Sequence, residues 1–377
     1  MDKFIMQTRI YMGEGALQCL KEFDIHRAFV VCDPFMKDSG MVTNITSILE
    51  QHGICYEIFA EVKPNPDLGI VQEGLRRVVA FRPDAMISMG GGSAIDVAKS
   101  LDYLFRKYDN TATICTIAVP TTSGTGSEVT SAAVITDQND GVKIPFADRT
   151  IIPDVAVLDP ELTASVPPSV TADTGMDVLT HALEAYVGSG HNDFTDASSE
   201  KSMQLIWEYL EEAVKNGANR TARMHMHNAS CLAGVAFNVA GVGLCHSMAH
   251  AFGEQFHVAH GRANAMILPF VLAYNAGLDS DEESPVLMRY EKAANLLGIS
   301  AGTPKATVHI LINRIRILEK KIAIPQHISE LGISREDFDA AIEEMAGHAY
   351  NDPCNKTNPF MPTKDDIVSL FCQLRDY

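Results

Sequence analysis

The chain has 377 residues, 46% of them apolar and 21% charged, and its 30 basic against 48 acidic side chains give a formal net charge of −18. That length supplies large cores without a disulfide or metal staple, and the composition is that of a folded globular protein. The acidic balance excludes a bulk nucleic-acid or anionic-membrane partner, since both require basic patches, but leaves room for a phosphate held by backbone amides.

The N-terminus, MDKFIMQTRIYMGEG, has neither the basic flank nor the apolar stretch of a signal peptide. Eight cysteines without a C-x-x-C pair read as buried, reduced thiols, so an intracellular, soluble protein is expected. AFVVCDP, CYEIFAEV, DAMISMG and TICTIAVP are apolar runs expected to form buried parallel strands, with amphipathic helices between the first three. SAAVITD, VKIPFAD and DVAVLDP follow with little room for helices and read as hairpin or edge strands. A cluster of prolines, Pro153, Pro160, Pro167 and Pro168, marks a domain boundary. Beyond it the periodicity is helical throughout. The apolar stretch AMILPFVLAYNA is too short to span a bilayer and is expected to be broken at Pro269. The predicted fold is therefore an α/β dinucleotide-binding domain with a parallel sheet over residues 1–163, and an all-α domain over 164–377.

Gly90, Gly91, Gly92 and Ser93 lie between an expected strand and an expected helix. Such a turn lets the backbone approach a phosphate at a helix N-terminus; by itself it is equally a tight structural turn, and Ser93 with Asp96 also fits a helix cap. A second polar turn, PTTSGTGSE, follows the next strand and would emerge at the same sheet edge, which favours a nucleotide. Asp33, at the end of AFVVCDP, could accept from ribose hydroxyls and repel a 2′-phosphate, favouring NAD over NADP, or could simply cap the turn before Pro34.

Four histidines fall within HSMAHAFGEQFHVAH. His246 and His250 share a helix face, and Gly261 suggests a turn returning His260 to the same place. An earlier helix carries Asp173, Asp177, His181 and Glu184 as a polar stripe, which would be costly to bury unpaired. Asp177, His181, His246 and His260 would form a three-nitrogen, one-oxygen set suited to Fe²⁺ or Zn²⁺. Phe237, Leu244, Met248 and Phe252 are expected to surround the cluster with apolar side chains. His225 and His227 read as ordinary surface or core residues, and His257 has no assigned role.

GGGSAIDVAK, PTTSGTGSEVT, GMDVLTHALEAYV and CHSMAHAFGEQFHVAHGRANAMILP together resemble the iron-containing (group III) alcohol dehydrogenases, and the resemblance extends over almost the entire chain. MQTRIYMGEGAL, DFTDASSEK and MHNASCLAGVAF are most similar to the propanol and ethanol dehydrogenases associated with bacterial microcompartments. The resemblance implies a nucleotide-binding domain, a helical metal domain and a cleft between them. It places the metal ligands at Asp177, His181, His246 and His260, with Fe²⁺ the implied metal and Zn²⁺ an alternative. His250 matches a histidine close to metal and substrate, where it would relay the hydroxyl proton or orient a ligand. Cofactor contacts carry to Asp33, Gly91, Gly92, Ser93, Asp96, Thr121, Thr122 and Lys143, and Phe237 to a substrate-pocket aromatic. The implied reaction is hydride transfer between NAD(H) and a small primary alcohol or its aldehyde, running as aldehyde reduction. The implied setting is cytoplasmic or inside a microcompartment, as a homodimer or larger homo-oligomer, alongside microcompartment enzymes or shell. Glycerol dehydrogenase-like and dehydroquinate synthase-like enzymes share the fold and are the rival activities; a non-catalytic microcompartment protein is the non-enzymatic one.

Overall fold

A computed structural model describes residues 4–136 and 143–376. It divides into two compact units, 1–166 and 167–377. The first alternates strands and helices: β1 (Arg9–Met12), β2 (Arg27–Cys32), α1 (Pro34–Asp38), α2 (Thr43–Gln51), β3 (Cys55–Phe59), α3 (Leu68–Phe81), β4 (Ala85–Gly90), α4 (Gly92–Tyr108), β5 (Cys115–Pro120), β6 (Ala132–Thr136), β7 (Lys143–Ala147) and β8 (Val155–Leu158). Six strands form one parallel sheet in the order β1-β8-β5-β4-β2-β3, and β6 pairs with β7 as a separate antiparallel hairpin.

Alternation along β2 explains why both faces of the sheet are covered. Ala28 and Val30 pack with Ile45 and Leu49 of α2 on one side, and Phe29 and Val31 with Val71, Val97 and Leu101 of α3 and α4 on the other. One expectation changes here. DVAVLDP forms an interior strand, not an edge or hairpin: all four residues of β8 are buried, and β8 sits between β5 and β1. The edge is taken by β1, whose short RIYM segment carries no long apolar run. The strand order also places Asp33, the glycine loop and the Thr121 turn at the carboxyl ends of three neighbours, β2, β4 and β5, with the chain reversing direction across the sheet between β2 and β4. That reversal is where open α/β sheets bind ligands.

The second unit is helical: α5 (Pro168–Val187), α6 (Asp193–Lys215), α7 (Arg220–Ala240), α8 (Leu244–Phe256), α9 (His260–Ala276), α10 (Pro285–Leu296), α11 (Pro304–Lys321), α12 (Arg335–Asn351) and α13 (Lys364–Asp376). One large apolar core joins α5 to the later helices. Pro269 does not break the AMILPFVLAYNA segment; it lies inside α9. The proline removes one N–H from the ladder, and α9 runs through the core with Leu268, Pro269 and Phe270 all buried, so packing on every side holds the helix together. Among the described residues, no single helix is long and apolar enough to cross a membrane. All eight cysteines are free; four are buried, while Cys55 on the edge strand β3 is exposed, contrary to a uniformly buried set.

Candidate metal centre and cofactor turns

The polar stripe of α5 is buried, not solvated: Asp173, Asp177, His181 and Glu184 are each at most 8% exposed. Each outer member of the stripe has a partner on another helix. Asp173 accepts two hydrogen bonds from the Arg262 guanidinium, at 3.1 and 3.0 Å, tying α5 to the start of α9. Glu184 accepts from His246 Nδ1 at 2.5 Å and from the Cys245 amide at 2.7 Å. A carboxylate only accepts, so the His246 proton sits on Nδ1 and Nε2 presents its lone pair.

That lone pair has no hydrogen-bond partner, nor has Nδ1 of His181, although both are buried. His246 Nε2 lies 3.8 Å and His260 Nε2 3.5 Å from the same Asp177 oxygen. The His181 and His246 rings stack with centroids 4.5 Å apart, and His246 and His260 are 5.3 Å apart. Asp177, His181 and His246 can direct one ligand atom each to a common point, and His260 borders it. Burial pushes the His181 pKa down to about 3 against the pull of Asp177, so its imidazole is neutral, as metal ligation requires. Orphaned imidazole nitrogens around a buried carboxylate fit a divalent transition metal.

Gly261 does not make the turn that brings His260 back. The turn is made by His257, whose φ of 56° caps α8 in the left-handed region, and this gives that histidine its role. Gly261 lies in the first turn of α9, where a methyl group would come within 2.2 Å of the Asp173 carbonyl oxygen. Only glycine allows α9 to approach α5 that closely. His250 follows His246 on α8, and its Nδ1 pairs with Asp352 at 2.8 Å. Burial would raise the Asp352 carboxyl, but His250 and the Cys354 amide hold it down at about 2. Phe237, on α7, stacks on His181 at 4.4 Å. Leu244, Met248 and Phe252 do not surround the cluster; they belong to the apolar core, on the face of α8 opposite His246 and His250.

In the α/β unit, Asp33 caps α1 through Oδ1, which accepts from the Met36 amide at 2.9 Å. Gly90 has φ 154°, and a methyl there would lie 2.8 Å from Ala94 Cβ, so the turn demands glycine. Helix α4 opens at Gly92 with Gly91, not Ser93, as its cap; Gly91 O receives the Ala94 and Ile95 amides. The cap expected of Ser93 and Asp96 is therefore absent. The amides ahead of those two are the ones a helix offers to an outside acceptor. The second turn packs directly on the first: Thr121 N donates to Gly90 O at 2.9 Å, and methyl groups at Gly91 and Gly92 would approach Thr122 Oγ1 and Thr125 Cγ2 to 3.3 and 2.8 Å. Asp96 faces away from the turn's mouth, accepting from Ser127 Oγ at 2.6 Å and Val134 N at 3.0 Å. Lys143 opens β7, and its side chain lies outside the described residues.

Residues 7–160 match the family model of the iron-containing alcohol dehydrogenases, and residues 171–374 match that of the family's C-terminal domain. The 1-propanol dehydrogenase PduQ of Salmonella typhimurium is 41% identical over 376 residues, covering 99% of this chain and all of that one. The chain belongs to the iron-containing alcohol dehydrogenase family. The NADPH-dependent butanol dehydrogenase of Clostridium saccharobutylicum is 38% identical across 98% of this chain and 97% of its own. Among solved structures, the sulfoacetaldehyde reductase of Bifidobacterium kashiwanohense in complex with NAD⁺ superposes with a TM-score of 0.87 at 28% identity, over 99% of this chain and 98% of that one.

As an iron-containing alcohol dehydrogenase, this enzyme interconverts alcohols and aldehydes. Its site also contains residues that the sequence reading passed over. Asn264 lies one helical turn after His260, and its amide donates to Asp177 at 2.7 Å while lying 3.1 Å from His260 Nε2. The i, i+4 spacing to His260 was a signal for it. Asp352 is 102 residues from its partner His250, and nothing in local spacing points to it.

Proposed function

We propose that this alcohol dehydrogenase holds Fe²⁺ on Asp177, His181, His246 and His260, with Zn²⁺ accepted by the same donors, and uses NAD(H) to interconvert small primary alcohols of the ethanol-to-butanol range and their aldehydes. The observation that carries the reading is the pair of buried imidazoles, His181 and His246, each with an unpartnered nitrogen, that of His246 lying 3.8 Å from Asp177. When bound, the metal supplies Lewis acidity to the substrate oxygen. The chain's own residues do the rest. Glu184 orients His246, and Asp352 holds the His250 proton on Nδ1, leaving Nε2 to exchange a proton with the substrate hydroxyl. Phe237 adds an apolar wall beside His181. Asp33, Gly91, Gly92, Ser93, Thr121 and Thr122 form the cofactor-binding set, with Asp96 behind them and Lys143 on the hairpin.

The Asp33 carboxylate at the β2 end supports NAD over NADP, although one relative is NADPH-dependent. The propanol dehydrogenase relative supports short-chain substrates, the proposed sense of the reaction being aldehyde reduction, and the N-terminal and helical motifs support the microcompartment type, with a homo-oligomeric assembly in the cytoplasm or within such a compartment. The test is NADH oxidation with C2–C4 aldehydes after reconstitution with Fe²⁺ or Zn²⁺, beside His260→Ala. The variant is expected to lose bound metal and rate together, and unchanged activity in it would overturn the ligand set.

A further inference from the structure

Lys99 sits on α4, two turns after the glycine loop, and is 3% exposed. A buried ammonium is costly unless each of its donors is used. Here all three are: Nζ lies 2.8 Å from Ser127 Oγ, 3.2 Å from Thr130 Oγ1 and 2.9 Å from the Ala132 carbonyl. Every acceptor comes from the single stretch that leads from the Thr121 turn into β6. One turn earlier on α4, Asp96 accepts from the same Ser127 hydroxyl and from the Val134 amide. Ser127 is thus a bridge, donating to Asp96 and accepting from Lys99. Burial pushes the Lys99 pKa down to about 8, opposed by Asp96 and Glu128, and pushes Glu128 up to about 7. None of these groups lies near the histidine cluster in sequence or shares its unit.

The stretch pinned by Lys99 carries, at its other end, the Thr122 and Thr125 side chains that lie against Gly91 and Gly92. We propose that Lys99 is a positioning residue for the nicotinamide cofactor: its ammonium, working with Asp96, locks the turn after β5 onto the helix that bears the glycine loop. Lys99 touches no cofactor atom; it sets the register of the two turns that do. The inference rests on the reading that those turns hold the dinucleotide.

The test uses the full-length, metal-loaded enzyme and NADH as the probe. Fluorescence titration gives the NADH Kd per folded site, and steady-state assays give the KM for NADH and for propanal. Lys99→Met is expected to raise Kd and KM for NADH at least tenfold, while the KM for propanal and the bound metal stay as in the parent. Ser127→Ala and Thr130→Val, each deleting one acceptor, are expected to give smaller rises in the same constants. A merely structural lysine would lower the folded fraction and leave the Kd per folded site unmoved, and that result overturns the proposal. If Lys99→Met does not fold, an unchanged NADH Kd in both Ser127→Ala and Thr130→Val overturns it equally. A parent enzyme that binds no NADH would instead overturn the cofactor reading beneath it.

Discussion

His246 is committed by its neighbours before any metal arrives, because the Glu184 carboxylate fixes the proton on Nδ1 and leaves Nε2 aimed at Asp177. Removing that charge should loosen the metal without removing a ligand. Glu184→Gln is expected to weaken metal binding roughly 10–100-fold, read as metal retained after competition with a chelator. Retention equal to the parent would show that the carboxylate does not act through His246. Glu319, on α11, makes a different point. It is 3% exposed, its Oε1 has no partner, and burial holds its pKa up at about 8 despite Arg316 and Gln326. The unfolded chain loses this proton near pH 4.5 and the fold keeps it to about 8, so stability falls as pH rises through that interval. Glu319→Gln is expected to flatten the pH dependence and to gain roughly 1–3 kcal/mol at pH 8. Urea titrations at pH 5 and pH 8 check this, and equal slopes in the two proteins would place the titration elsewhere. Spacing along the chain made the α5 stripe and the His246–His250 pair legible, since residues four apart on a helix share a face. The partners Glu184 and Asp352 bring to those histidines were not legible, because each pairing joins segments that only packing brings together.

Among the helices, the approach of α9 to α5 decides where His260 sits. Gly261 permits the contact and the Asp173–Arg262 pair secures it. Gly261→Ala would drive a methyl into a backbone carbonyl, which cannot turn aside as a side chain can. The expected outcome is a loss of about 1–3 kcal/mol in stability together with weaker metal binding, since α9 must shift and carries His260 with it. Thermal melts and metal titration of the variant check both, and a melt matching the parent would show that α9 has slack. The sequence reading assigned this glycine to a turn because glycine beside a histidine at a presumed helix start looks like one. The turn instead falls on His257, one of the few non-glycine residue types enriched at positive φ, although nothing in its neighbours marks it as the cap. In the same way β8 read as an edge strand because no helix precedes it, although its uninterrupted VAVL run has the composition of an interior strand.

For the whole molecule, metal binding on the proposed donors would be a folding term, because those donors converge only in the folded helical unit. Chelation is therefore expected to lower the melting temperature, and restoring metal at 1,000 times its Kd to return about 4 kcal/mol. Calorimetry with and without metal measures it, and a melting temperature insensitive to both Fe²⁺ and Zn²⁺ would count against the ligand set. The net charge of −18 proves less informative than the placement of a few carboxylates: Asp177 beside three imidazoles, Glu184 on His246, Asp33 at a strand end. By itself the sequence determined the class of the two halves, strand–helix alternation then helices, and the residue types gathered on α5 and α8. These follow from periodicity, which is local and is written in neighbouring residues. Only the tertiary structure decided the strand order that sets Asp33, the glycine loop and the Thr121 turn side by side. It alone decided that Lys99 reaches the turn after β5, and that Asp352 reaches His250. Those outcomes depend on which distant surfaces bury one another best, and no local spacing encodes that choice.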